Sequence, residues 1–306
     1  MTTVISYLAG IPPNNKNAGK PAALTNFING VNLCGDRGIL SHDMRLQKAD
    51  VAVIQGYVHE DGKSSPHLTF RKQVLEYQQK TGGRTIIIDS NLFLYRDLNK
   101  EKGYLRLSYD GIFPNTGEYC YHNPNPQRWE QIKRDLSMDL KHWRKDGKHI
   151  LICLQRNGGW SMKGLDVVQF FRDTVHKIRQ YSDRPILVRT HPGDKKAAIY
   201  VKNIVGTNVT ISNNTTLLDD LQNAWATVVY NSSPSVASII EGIPAFVIDP
   251  EYSQSAEVSD HDLSKIENPK LPDRLHWVQK MAQCHWTQNE LASGAAWQHM
   301  RNWAKR

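Results

Sequence analysis

The chain lacks any cysteine pair close enough in sequence to build on. Cys34, Cys120, Cys153 and Cys284 are far apart and form no C-x-x-C, which excludes a zinc ribbon or a disulfide framework as the organising device. No apolar run approaches the ~18 residues of a membrane span, and Met1 to Ala18 carries no signal-peptide pattern, so the expectation is a cytosolic chain with no integral membrane association. A P-loop is missing as well, since Gly10 is the nearest glycine before Gly19-Lys20 and Pro21 follows the lysine. No repeat of solenoid period occurs. What remains is a soluble globular composition, 40% hydrophobic over 306 residues, enough for two domains with real cores. The net charge of +8 favours a polyanionic partner such as nucleic acid, a nucleotide or an anionic surface; a solvated basic surface explains it equally well.

Short apolar runs alternate with helical patterns from the start. Val4 to Ala9 ends at a Gly-Ile-Pro-Pro turn, and Ala22 to Leu33 has helical spacing. Val51 to Ile54 and Thr85 to Ile88 read as strands around a helix, Leu68 to Thr81, closed by Gly82-Gly83. Such alternation predicts a parallel sheet covered by helices. Tyr104 to Pro114 reads as a strand into a loop, or as a hairpin edge, with Asp110-Gly111 at its turn. Asn125-Pro126 predicts a helix start, and Trp129, Ile132, Leu136, Leu140 and Trp143 predict one amphipathic helix from Arg128 to Arg144. A first domain therefore spans 1–146. A second spans 147–286, and a final helix, 287–306, opens on the capping box Thr287/Glu290 and carries Trp297, Met300 and Trp303.

The second half places three polar loops at the carboxyl ends of predicted parallel strands: 156–160, 189–193 and 231–235. In an open α/β sheet these ends converge on one crevice, where ligands bind. Together they supply Arg156, Arg189, His191, the Gly158-Gly159 pair and the hydroxyls of Ser232, Ser233 and Ser235 at a helix start. Arginine forks and helix-terminal amides suit a diphosphate. Taken singly, the serines read as helix caps, the arginines as salt-bridge partners and His191 as a structural hydrogen-bonder.

Arg-Thr-His-Pro at 189–192, followed by N-S-S-P-S-V-A-S-I-I-E-G-I-P-A at 231–245, resembles the donor-binding half of the GT-B glycosyltransferases, especially capsule-type Kdo transferases. The resemblance covers about 100 residues, His149 to Asp249, and epimerases and glycerophosphotransferases share the pattern. It implies two Rossmann-like α/β domains facing across a cleft, with a C-terminal helix crossing back to the first. It also implies a nucleotide-sugar co-substrate, a UDP-sugar by expectation, and no permanently bound cofactor. By position, His191 would meet phosphate or sugar, Ser232, Ser233 and Ser235 the phosphates, and Glu241 the ribose or sugar hydroxyls. The last helix, with its tryptophans, would pack on the first domain.

An inverting transferase of this fold needs a carboxylate to deprotonate the acceptor hydroxyl. Asp110 is the leading candidate beside His191 for the catalytic pair, with Asp89 and Glu118 as rivals. The absence of D-x-D fits metal-independent transfer, with Arg156 and Arg189 stabilising the departing diphosphate. For the acceptor, the basic chain without an anchor resembles phage enzymes that glycosylate hydroxymethylated pyrimidines in double-stranded DNA, acting in the host cytoplasm. Lys133, Arg134, Lys141, Arg144 and Lys145 would then line one basic helix face. A capsule or lipopolysaccharide glycan as acceptor, a nucleotide-sugar 2-epimerase, and a binding module without catalysis are the alternatives.

Overall fold

The computed structural model describes residues 1–12, 19–58, 65–97 and 103–305. In chain order the elements are β1 (Thr3–Tyr7), α1 (Gly19–Leu33), β2 (Arg37–Ser41), β3 (Val51–Gln55), α2 (Pro66–Thr81), β4 (Arg84–Ser90), β5 (Tyr104–Tyr109) and α3 (Pro126–Asp135). Then follow β6 (His149–Cys153), α4 (Val167–Arg179), β7 (Ile186–Arg189), α5 (Ala197–Tyr200), β8 (Val209–Ile211), α6 (Leu217–Leu221), β9 (Ala224–Val229), α7 (Pro234–Ile240) and β10 (Ala245–Val247). The chain closes with α8 (Leu275–Gln283), β11 (His285–Thr287), α9 (Gln288–Ala292) and α10 (Ala295–Met300). It forms two compact units: 1–136 together with 278–306, and 137–277.

The first unit holds a six-stranded sheet in the order β11-β5-β4-β3-β1-β2. Its β-branched centre, β3, is buried along its whole length, as a strand covered on both faces must be. The sheet departs from the all-parallel expectation at one side. β5 runs antiparallel to β4, pairing Ile86 with Tyr109 and Ser90 with Leu105, and β11 runs antiparallel to β5. The turn after β5 therefore lies at the amino ends of the parallel strands, where Asp110 N–H donates to Thr85 O at 2.7 Å.

The C-terminal segment packs on this first unit. A β-carbon on Gly30 of α1 would fall 2.1 Å from Leu291 O, so only glycine lets α1 and α9 approach so closely. Trp297 is fully buried edge-on against Phe27, and its indole N–H donates to Asp36 at 2.9 Å. The capping box joins Thr287 and Glu290 as expected, but the single final helix does not form. Gly294, at φ +85°, breaks the segment into α9 and α10.

The predicted helix from Arg128 to Arg144 also ends early, at Asp135, with Ser137 in the left-handed region. Its later apolar residues answer to tertiary partners instead. Trp143 donates to Pro272 O at 2.9 Å and lies under the Arg274 guanidinium at 3.7 Å, while Lys141 N–H and Arg144 N–H bond to Ile240 O and Gly242 O. Tertiary hydrogen bonds here override the helical period.

The second unit contains a five-stranded, wholly parallel sheet, β10-β9-β6-β7-β8. Ile150, Ile152, Val188, Val228 and Phe246 form its interior with Phe170 and Phe171 of α4. Helix α4 starts on Asp166, whose carboxylate accepts from Val168 N–H and Gln169 N–H. With every strand parallel, all the loops that follow them emerge along one edge.

Candidate functional site

Along that carboxyl edge, the loops after β6 and β7 are fastened together. Asp194 accepts from Asn157 N–H at 2.9 Å, from the Tyr200 hydroxyl at 2.9 Å and from Lys196 N–H at 2.9 Å. Burial alone would raise its pKa, but these donors hold the carboxyl below the ordinary range. The clamp sets Arg156 beside His191: a β-carbon built on Gly193 would lie 2.9 Å from Arg156 Nη2 and 3.2 Å from His191 Cε1. Arg156 is exposed, and its guanidinium has no hydrogen-bond or ion-pair partner among the described residues.

His191 Nδ1 accepts from Gly193 N–H at 2.9 Å, which leaves the proton on Nε2 as a donor for a ligand. Burial, then the neighbouring Arg156 charge, lowers its pKa, only partly offset by Asp194. The ring is therefore neutral at pH 7, a hydrogen-bond donor beside a free guanidinium.

The loop after β9 is braced by Gln155, Ser161 and Asp249, none of which stood out among the sequence candidates. Gln155 Oε1 accepts from Asn231 N–H at 3.0 Å and its amide donates to Ser161 Oγ at 2.7 Å; Asn231 Nδ2 donates to Ser161 O and to Asp249, both at 3.0 Å. Only the tertiary fold brings these scattered polar residues together. Ser233 is exposed and its hydroxyl does not cap α7, and Ser232 Oγ is enclosed without a partner. Neither serine hydroxyl is spent on helix capping.

Three expected site residues have their polar groups bonded within the fold. Arg189 spends its guanidinium on Asn214 O, Thr215 O and Thr216 O and on the fully buried Asp220, at 2.6 Å, because the turn after β8 folds over it. Ser235 is fully buried, donating to Ser232 O and accepting from Ser255 Oγ. Glu241 follows the C-terminus of α7, roughly 12 Å along the axis from Ser233 at 1.5 Å per residue. It is buried and ion-paired with Lys141, away from the carboxyl edge.

Asp110 is also displaced, for the topological reason given above. Its carboxylate is held by Arg84 at 2.9 Å and by Thr85 N–H at 3.0 Å, at the amino ends of the parallel strands. Glu118 lies beside it, bridged to Tyr109. Asp89 does stand at the carboxyl edge. It lines a cavity of about 300 Å³ with Gln55, Gly56, Ser90, Asn91 and Tyr104. Arg106 lies 3.7 Å from its carboxylate, and Ser90 N–H donates to it at 2.7 Å.

No family model matches the chain, and no curated protein matches it. Among the solved structures that it resembles in fold are the β-Kdo 2,4 transferase of KpsC from Thermosulfurimonas dismutans (TM-score 0.55, 11% identity, 95% of this chain and 98% of that one) and the β-Kdo 2,7 transferase of the same protein (0.54, 13%, 96% and 98%). The fold is thus the two-Rossmann-domain, GT-B type. A UDP-GlcNAc 2-epimerase from Methanocaldococcus jannaschii is similar at a TM-score of 0.37, with 11% identity over 98% of both chains, too distant to weigh.

Proposed function

We propose that the chain is a glycosyltransferase that moves a sugar from a nucleotide-sugar donor to a hydroxyl acceptor. The observation that carries this reading is the unpaired Arg156 held against the neutral His191 at the carboxyl edge of a parallel sheet. Arg156 supplies a fork for the donor diphosphate, His191 Nε2–H a hydrogen bond to a phosphate or sugar oxygen, and Ser232 and Ser233 hydroxyl donors. As the glycosidic bond to the leaving diphosphate breaks, negative charge grows on the bridging oxygen, and the guanidinium stabilises it. Asp89 takes the proton of the acceptor hydroxyl as that oxygen bonds to the anomeric carbon. The fold likeness to two Kdo transferases supports the transferase reading.

A glycan hydroxyl is the acceptor this reading favours over hydroxymethylated DNA. The five cations expected to form one basic helix face do not share one: α3 ends at Asp135, Lys133 pairs with Glu130, Lys141 with Glu241, and Arg144 donates to Leu221 O and Gln222 O. The test is turnover of a panel of UDP- and CMP-sugars with glycan acceptors and with hydroxymethylcytosine DNA. Transfer to a glycan is expected. Donor binding without transfer to any acceptor would refute the transferase, and release of a 2-epimer without acceptor would replace it with an epimerase.

A further inference from the structure

The first unit contains a cation that the steps above leave unused. Arg71 of α2 is half-buried and threaded between two glycines of the carboxyl edge. A β-carbon on Gly10 would meet Arg71 Cγ at 3.2 Å, and one on Gly56 would fall 2.2 Å from Arg71 Nη1. Gly56, at φ +93°, thus provides both the backbone turn and the space for the guanidinium. Nη1 donates to Gln55 O at 2.7 Å, and Nε makes a longer bond to His67 O at 3.4 Å.

These contacts aim the fork without neutralising it. Among the described residues no carboxylate lies within ion-pair distance of Arg71, and the acid that bears on it electrostatically is Asp89. Burial lowers its pKa, and the Asp89 charge only partly offsets that fall. Gln55 and Gly56, which Arg71 touches, line the 300 Å³ cavity together with Asp89 and Lys20, and Lys20 likewise has no acid partner among the described residues. Asp97, the other carboxylate of that lining, is committed to Asn91 Nδ2 and Tyr104 N–H. Lys20 thus lines the cavity, Arg71 lies against two of its lining residues, Gln55 and Gly56, and Asp89, with Arg106 at 3.7 Å, is its remaining carboxylate.

We infer that Arg71, helped by Lys20, holds an anionic group, phosphate or carboxylate, so that the hydroxyl offered to Asp89 belongs to an acidic acceptor. The bidentate fork suits either anion, and a neutral ligand would leave both cations unpaired. The inference rests on the transferase reading only for calling the ligand an acceptor; anion binding is measurable without it.

The experiment is calorimetry on the full chain at low salt with three probes: sn-glycerol 3-phosphate, gluconate and glycerol. At least one anion should bind tenfold or more tightly than glycerol, and the preferred anion distinguishes phosphate from carboxylate. Arg71→Gln and Lys20→Gln should each weaken that anion about tenfold, Arg71→Lys should restore part of it, and Arg37→Gln, at the opposite end of the sheet, should change nothing. The inference is overturned if glycerol binds as well as both anions, if neither anion binds, or if Arg37→Gln weakens binding as much as Arg71→Gln. Binding of UDP is followed in the same variants. Anion binding with no sugar transfer refutes the transferase reading and leaves this one standing.

Discussion

Asp89 and Asp110 stand at opposite ends of β4. Asp89 is its penultimate residue, at the cavity on the carboxyl edge, while Asp110 accepts from Thr85 N–H at the amino edge. Asp89→Asn should lower kcat by about 10²–10⁴ with little change in donor affinity, the loss typical of a missing general base. Asp110→Asn should instead leave kcat near wild type and reduce stability by about 1–3 kcal/mol, since Arg84 loses its partner. Steady-state kinetics and urea unfolding on both variants decide the matter, and the reverse pattern would restore Asp110 as the base.

The two arginines of the donor side divide in the same way. Arg156→Ala should weaken UDP binding by tenfold or more, about 1.4 kcal/mol, with little change in stability, because its exposed guanidinium makes no hydrogen bond or ion pair among the described residues. Arg189→Leu strands the fully buried Asp220 and should cost about 3–5 kcal/mol of stability. Calorimetric titration with UDP, paired with denaturant unfolding, reads both effects. Equal loss of UDP affinity in both variants would mean that Arg189 reaches the donor after all.

Much of this was legible in the residues. Alternating β-branched runs and helical periods sufficed for two α/β units, and the loops after β6, β7 and β9 were placed at one sheet edge correctly. The failures share a cause. Which way β5 runs is decided by pairing with β4 and β11, so the side of the sheet on which Asp110 falls cannot be read from its local Asp-Gly turn. The periodicity through Trp143 was real but served Pro272 and Arg274 rather than a helix. Arg189 and Glu241 carry the same charge in a binding site as in a buried ion pair; only their partners, Asp220 and Lys141, tell the two apart.

Asp194 is the positioning residue that the motif concealed, two places after Pro192. Its carboxylate joins Asn157 N–H, Lys196 N–H and the Tyr200 hydroxyl, so Asp194→Ala should free the Arg156 loop without removing any ligand contact. The expected outcome is a KM for donor raised about tenfold, with kcat at saturating donor close to wild type. Faster amide exchange at Asn157 in the free protein would confirm that the loop has loosened. An unchanged KM would show that Arg156 is held by other means.

His285 sets the acid limit of the first unit. It is fully buried, Nδ1–H donating to Met281 O at 2.6 Å and Nε2 accepting from Leu92 N–H at 3.0 Å, a neutral tautomer with both nitrogens used. Burial pushes its pKa down from 6.5 to about 3, with Met281 O only partly opposing, and the Arg106 and Arg128 charges add to the fall. The unfolded chain therefore takes up a proton near pH 6.5 that the folded chain refuses. Its contribution to stability is complete above that pH and is lost progressively as pH falls toward 3. His285→Gln keeps a neutral side chain and removes this titration. Urea unfolding between pH 7 and 4 should show wild-type stability falling more steeply than that of the variant. Parallel curves would mean that the imidazole gains its proton in the folded state, which the two hydrogen bonds forbid.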